Sequence, residues 1–342
     1  MDTKMQDMDT GEFARARNTS IIEDLGQVSF VFSDKTGTLT ANEMRFAFCF
    51  VGDTKFGPFL PMPSASCELE LKEQSIGNKK VRTVLQSRPS DEKETSLKDA
   101  VTNFFSAIAV CHSVQMNVDQ KYQAESPDEL ALVNAAASVG FSWAGRERNT
   151  SGTGELSRVQ KQQSGGRSTG PAVIEEYRVV CELPFSSDRK RMSVVIPLDD
   201  GSGALVWTKG ADSVMEKLLE GAFPENARES LEEYARYGYR TLVYGQRKMN
   251  TSTYADWLSE WQEAAASMED RAEKLDDVYR IAENGLSFIG ITAVEDRLQD
   301  GVPSTIESLR AAEVRVWVLT GDKVETAVEI ARSCKLFDDS MT

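Results

Sequence analysis

An α/β domain interrupted by an α+β domain with an antiparallel sheet is the architecture the sequence predicts, and three observations carry that expectation. Two apolar runs that stop abruptly in polar turns, VSFVFS before DKTG and VRVWVL before TGDK, stand nearly three hundred residues apart. Between them YRVVCELPF, RMSVVIPL and ALVWTKG carry the β-branched and aromatic residues of strands, and DDGSG (199–203) supplies a hairpin turn. At 342 residues the chain exceeds what one hydrophobic core usually fills, so two folded units are expected.

Residues 28–33 are expected to form a short buried strand, and 314–319 a second one. In parallel sheets ligands sit beyond the carboxyl ends of strands, so the two turns can share one crevice if the strands belong to one domain. An insertion over 47–284 leaves 1–46 and 285–342 as its two parts, since chain ends that lie close together tolerate insertions. Inside the insertion Leu97, Val101, Phe104, Phe105 and Ile108 share a helical face. The stretches 64–95, polar with weak periodicity, and 149–170, rich in Ser, Gly, Thr and Gln, read as loose surface loops. Residues 254–283, with Trp257 and Trp261 four apart, read as one amphipathic helix. After the insertion LSFIGITAV (286–294) is expected as a buried strand that returns the chain to the interrupted domain. GVPSTIESLRAAE (301–313) follows as a helix with Pro303 in its first turn, and VETAVEIARSCKL as another, with Val324, Ala327, Val328, Ile330 and Ala331 at helical spacing.

Composition narrows the function. A net charge of -15, from 39 basic and 54 acidic residues, opposes attraction to nucleic acid or an anionic membrane, so a phosphate site must be local. Five widely spaced cysteines without a C-x-x-C pair suggest neither a disulfide frame nor a zinc site, which fits a reducing cytosol. The start lacks the apolar core of a signal peptide and no run approaches a membrane-spanning length. His112 is the single histidine, which speaks against Ser-His and Cys-His catalysis and is read as a helix-face residue among apolar neighbours.

Chemistry gathers at a few strings. Asp34-Lys35-Thr36-Gly37-Thr38-Leu39-Thr40 sets a carboxylate at a strand end, followed by a cation, hydroxyls and a glycine. Such a carboxylate attacks phosphorus in line when Lys35 and a metal ion offset the repulsion between two anions. No G-x-x-x-x-G-K-[ST] occurs, so a nucleotide has to be held by the inserted domain. There Ser126, Pro127 and Glu129 read as N-cap, first helical residue and capping-box partner. Phe185, ahead of the basic run DRKR, offers an aromatic face suited to a purine, and Gly210 after Lys209 lets backbone approach a ligand.

The DKTGT string matches at every position the phosphorylation signature of the P-type ATPase family, which this sequence resembles along most of its length. SPDELALV and RKRMSV resemble the type IV, phospholipid-flipping branch. The resemblance implies a haloacid-dehalogenase-like Rossmannoid phosphorylation domain, incomplete here, interrupted by a nucleotide-binding domain. It implies Asp34 as the residue that forms an aspartyl phosphate and ATP as the donor. Mg2+ is implied too, held through Asp34 and the Thr36 carbonyl. Nucleotide contacts are implied at Asp34, Lys35, Thr36, Glu129, Phe185, Lys209, Arg240, Thr320, Gly321 and Asp322. Related phosphatases carry an Asp two positions after the nucleophile; Thr36 stands there instead, a poor general base, so the aspartyl phosphate is expected to persist. Tyr239 departs from the leucine usual before the family's R-T-L segment.

The family's G-D-G-x-N-D segment, membrane helices and actuator domain are absent from the sequence. The expectation is therefore the cytoplasmic portion of a multi-pass membrane ATPase, binding ATP with incomplete turnover alone. Phospholipid is its expected substrate, through membrane helices absent here, and the resemblance leaves room for an accessory subunit. A cation-transporting ATPase, a soluble phosphatase and a nucleotide-binding regulator without catalysis are the competing readings.

Overall fold

The computed structural model describes residue 11 and residues 26–59, 76–87, 89–148, 154–161, 173–321 and 324–337. Two compact units divide the chain: Met1–Ala41, Leu298–Asp322 and Ile330–Thr342 make the first, and Asn42–Arg297 with Lys323–Glu329 the second. In the first unit, β1 (Phe30–Asp34) runs into a tight turn over Lys35–Leu39. Gly37 takes φ +75° there, a state an L side chain rarely adopts. The Gly37 N–H donates to Thr40 Oγ1 at 3.3 Å, and the Thr40 N–H donates to the Lys35 carbonyl.

The second unit begins with the hairpin β2 (Thr40–Val51) and β3 (Thr54–Phe56), followed by α1 (Ile76–Gln86) and α2 (Glu92–Val110). Asp91 caps α2 by accepting the Glu94 N–H at 2.8 Å, and the Val101, Phe104, Phe105 and Ile108 face is buried as its spacing requires. A short ladder, β4 (Gln115–Met116) with β5 (Tyr122–Gln123), leads to α3 (Pro127–Ser138). Strands β6 (Phe141–Arg148), β7 (Glu155–Lys161) and β8 (Val173–Val179) form an antiparallel three-stranded sheet in that order. Then come β9 (Cys181–Leu183), β10 (Arg191–Pro197) and β11 (Gly203–Gly210), with DDGSG turning the last hairpin. Helices α4 (Asp212–Leu218) and α5 (Glu225–Arg236) precede β12 (Arg240–Asn250), and α6 (Thr251–Ala266) and α7 (Arg271–Ala282) precede β13 (Ser287–Leu298).

These strands make a seven-stranded sheet in the order β3-β2-β13-β12-β11-β10-β9. Alternation decides which way each side chain goes. Val194, Ile196, Trp207 and Tyr244 pack with α2 and α3 on one face. On the other, Val195 and Val206 meet α6 and α7, while Val243 and Ile291 meet α4 and α5. Because both faces are covered, β10 is buried at every residue, which explains the consecutive apolar residues at 194–197, while its buried Arg191 and Ser193 need polar partners.

The first unit resumes with α8 (Val302–Ala311), which has Pro303 in its first turn, then β14 (Arg315–Leu319) and, from Ile330 on, the end of α9 (Val324–Ser333). Strands β1 and β14 pair in parallel, with Phe30 opposite Arg315 and Asp34 opposite Leu319. Leu39, Val302, Ile306, Val318, Ile330 and Cys334 form the unit's core.

Five expectations are corrected. The strands at 28–33 and 314–319 are not buried throughout: Phe30, Phe32, Trp317 and Leu319 are exposed, because the unit's described helices pack against the opposite face. LSFIGITAV does not rejoin the interrupted domain. It forms β13 and pairs antiparallel with β12, since its apolar side chains fill both faces of the large sheet, Ile289 and Val294 on one and Ile291 and Ala293 on the other. Within 64–95 lie α1 and the start of α2; Val81 is buried and the Arg82 guanidinium donates to the Ser138 carbonyl. Within 149–170, Glu155–Lys161 is the central strand β7, burying Ser157 and Val159, with Trp143 Nε1 donating to Ser157 Oγ at 3.1 Å. The remaining parts of those two stretches, apart from Ser87, Pro89, Ser90, Asp91 and Gly154, lie outside the described residues, as does Cys67. Residues 254–283 form two helices rather than one, broken where Asp270 takes φ +51° and tied by Trp257 Nε1 donating to the Val278 carbonyl at 2.9 Å.

Candidate functional site

Asp34 is solvent-exposed at the carboxyl end of β1, and its Oδ1 accepts the Lys35 N–H at 2.7 Å. Since Asp34 stands opposite Leu319, the next residues on β14's side, Thr320 and Gly321, continue from the neighbouring strand end and are also exposed. The two polar turns therefore meet at one edge, and Asp322 lies outside the described residues. Thr36 and Gly37 are exposed, whereas Lys35 is buried (1% exposed), so its charge is held inside the turn and not offered to solvent. Gln299, which sequence reasoning passed over, supports this turn by donating its side-chain amide to the Gly37 carbonyl at 3.0 Å and its backbone N–H to the Leu39 carbonyl at 2.9 Å. Its only sequence signal is its place just before the DGVP turn.

In the second unit the first turn of α3 gathers several of the remaining candidates. Lys209, near the end of β11, places its ammonium 2.6 Å from Glu129 Oε1, and both residues are buried. Glu129 Oε2 accepts the backbone N–H of Ser113 at 3.0 Å and the Ser113 hydroxyl. The expected capping box is thus replaced: Ser126 is the N-cap but makes no side-chain cap bond, because Glu129 is turned inward toward Ser113 and Lys209. Burial would raise the Glu129 carboxyl, yet the Lys209 ammonium and the hydrogen bonds from Lys209 and Ser113 outweigh it and hold the group at about 2. Beside it, Arg240 at the start of β12 pairs with Asp128 at 2.6 Å. His112 stays neutral: burial first, then the charges of Arg146 and Lys209, hold it at about 3, with Nε2 donating to the Ala109 carbonyl.

Phe185 lies between β9 and β10 and is 63% exposed, at the sheet end where Met192 pairs with Lys209 and Arg191 with Gly210. The basic run after it is not a free phosphate cradle. Arg189 and Arg191 are buried and both pair with Glu283, a residue the sequence did not single out because it is about ninety positions away. Gly210 permits this close packing. A Cβ there would sit 2.7 Å from Arg191 Cβ and 2.9 Å from the Lys190 carbonyl oxygen. Gly210→Ala is expected to cost about 2 kcal/mol by overpacking, read as a lower urea midpoint with unchanged slope.

Comparison with known proteins completes the site. A family profile described as "P-type ATPase, cytoplasmic domain N" matches residues 100–301. A phospholipid-transporting ATPase of Schizosaccharomyces pombe is 36% identical over 99% of this chain and 26% of its own length. Phospholipid-transporting ATPase DRS2 of Saccharomyces cerevisiae is 38% identical over 95% of this chain and 23% of its own length. Probable phospholipid-transporting ATPase 12 of Arabidopsis thaliana is 38% identical over 96% of this chain and 29% of its own length. The chain spans about a quarter of the length of these curated relatives.

Proposed function

Because the chain belongs to the P-type ATPases, we propose that it is the ATP-binding, autophosphorylating cytoplasmic portion of a phospholipid-translocating pump, with Asp34 as phosphoryl acceptor. The observation that carries this reading is the parallel pairing of β1 with β14, which brings the exposed Asp34 carboxylate beside the Thr320-Gly321 turn. That these relatives are phospholipid-transporting ATPases supports phospholipid as the transported substrate. No helix among the described residues is long and apolar enough to cross a membrane, so the lipid path belongs to membrane helices outside these residues. The interrupted arrangement supports a haloacid-dehalogenase-like phosphorylation domain in two parts, one ending near 41 and the other resuming near 298, around an insertion.

In the second unit Phe185 stacks on adenine, with Lys209, Arg240 and Glu129 lining the nucleotide. Of these Glu129 acts chiefly by fixing Lys209, since both of its oxygens are engaged by protein groups. Asp34 then attacks the γ-phosphorus: an Asp34 oxygen–phosphorus bond forms as the bond to the ADP oxygen breaks, and ADP leaves with that electron pair. Thr36 cannot act as the base that would hydrolyse the adduct quickly, so the acyl phosphate survives to drive a conformational cycle. The donor set suits Mg2+: Asp34 offers an exposed carboxylate and Thr36 a backbone carbonyl on an exposed turn, both hard oxygens, leaving other positions to water and phosphate. When bound, the ion offsets the negative charge of carboxylate and phosphate.

Titrating ATP into the chain while recording NMR spectra tests the binding half. Resonances of Phe185, Lys209 and Glu129 are expected to move together with a common dissociation constant. Shifts confined to residues away from Phe185 and Lys209 reject the site.

A further inference from the structure

Glu283, fully buried at the end of α7, is the hub of a polar network that reaches the loop carrying Phe185. Arg189 Nη2 pairs with Glu283 Oε1, and Arg191 Nε lies 2.6 Å from Oε2. Ser193 Oγ is 2.6 Å from Oε1 and 2.9 Å from Thr208 Oγ1. A carboxylate can only accept, so Ser193 donates to it and takes the Thr208 hydroxyl as its own donor.

The two arginines are also tied to loop backbone. Arg189 Nη1 donates to the Pro184 carbonyl at 3.1 Å, immediately before Phe185, and its guanidinium lies 4.8 Å over the Tyr279 ring. Arg191 Nη1 donates to the Arg189 carbonyl at 3.1 Å. Within the loop the Lys190 N–H donates to the Ser186 carbonyl at 2.7 Å, and the Lys190 carbonyl accepts the Ala211 N–H at 3.0 Å. Phe185 is thus an exposed residue at the start of a loop pinned on both flanks, and the two arginine pins converge on one carboxylate.

We propose that Glu283 is a positioning residue of the nucleotide site, holding loop 184–191 so that Phe185 is preorganised to stack on a purine; this rests on the ATP-binding reading above. A fixed aromatic loses less freedom on binding than one on a loose loop, which is where the affinity comes from. The same network draws Arg189 and Arg191 inward, so neither acts as a direct phosphate ligand.

A double-mutant cycle on the whole chain, read by calorimetric ATP titration, tests this. Phe185→Ala is expected to weaken ATP binding about tenfold through lost stacking. Glu283→Asp, which keeps the charge and shortens its reach, is expected to weaken it about fivefold. The combination Phe185→Ala with Glu283→Asp is expected to bind no worse than Phe185→Ala alone, because Glu283 acts through that ring. Additive losses, or full affinity in Glu283→Asp beside a weakened Phe185→Ala, overturn the inference alone. Undiminished affinity in Phe185→Ala overturns the nucleotide site and the inference with it. Should Glu283→Asp not fold, Ser193→Ala, which removes one hydrogen bond to Glu283, carries the same non-additivity with a loss of about twofold.

Discussion

Asp34→Asn, placed in the full-length protein, is expected to abolish, by at least about a thousandfold, the acid-stable, hydroxylamine-sensitive phosphoryl adduct from labelled ATP that the proposed reaction requires. Asparagine keeps the carbonyl oxygen that accepts the Lys35 N–H, so the turn over Lys35–Leu39 retains its local bond. What it loses is the second anionic oxygen and with it the nucleophile. ATP affinity of the chain should stay within about twofold, because the aromatic and cationic contacts proposed for the nucleotide lie in the second unit. An adduct of normal yield in Asp34→Asn would falsify the assignment of this carboxylate.

Lys209→Met is expected to destabilise the chain by about 3 kcal/mol, since it strands a buried carboxylate whose partner has been removed. With Lys209 present, Glu129 titrates at about 2, below its usual 4.5, so the pair's contribution is fully present above pH 4.5 and is lost as pH falls through about 2. Without the ammonium only the two hydrogen bonds from Ser113 oppose burial, the largest of the influences on this group, so the carboxyl is expected to move up, the sign to reverse and mild acid to stabilise the variant. Urea melts of both chains between pH 4 and 7 check this, and parallel pH profiles would count against it. Adding Glu129→Gln to Lys209→Met should recover most of the stability but not the ATP affinity, which falls about tenfold with the lost charged hydrogen bond. A double variant that recovers both would mean that Lys209 never touches the nucleotide.

Where chemistry is local, the sequence was readable. The DKTGT turn needs a strand end, a glycine at positive φ and little else, and Asp34 stands where that string predicts. That its strand and VRVWVL bring their turns to one edge of one unit was legible because both runs end in polar turns, whereas their direct pairing was not. Less legible were elements whose stability comes from distant contacts. Glu155–Lys161 has too few apolar residues to declare itself, and becomes a strand because neighbours on both sides supply its ladder. Ile76–Gln86 is likewise held by Val81 in a core formed elsewhere. The basic string after Phe185 misleads most, because the charge pattern points to solvent and only Glu283 explains why two of its arginines turn inward.

The pairing of β1 with β14 has a temporal side. On a ribosome adding roughly 5–20 residues per second, the partner of β1 emerges on the order of 15–60 s after it. By then the seven-stranded sheet, complete at Leu298, has had time to close. Among the described strands, the one that ends at Asp34 is therefore the last to be paired, and through that interval its bare edge, with Phe30 and Phe32 beside it, is the segment a holding chaperone is best placed to shield.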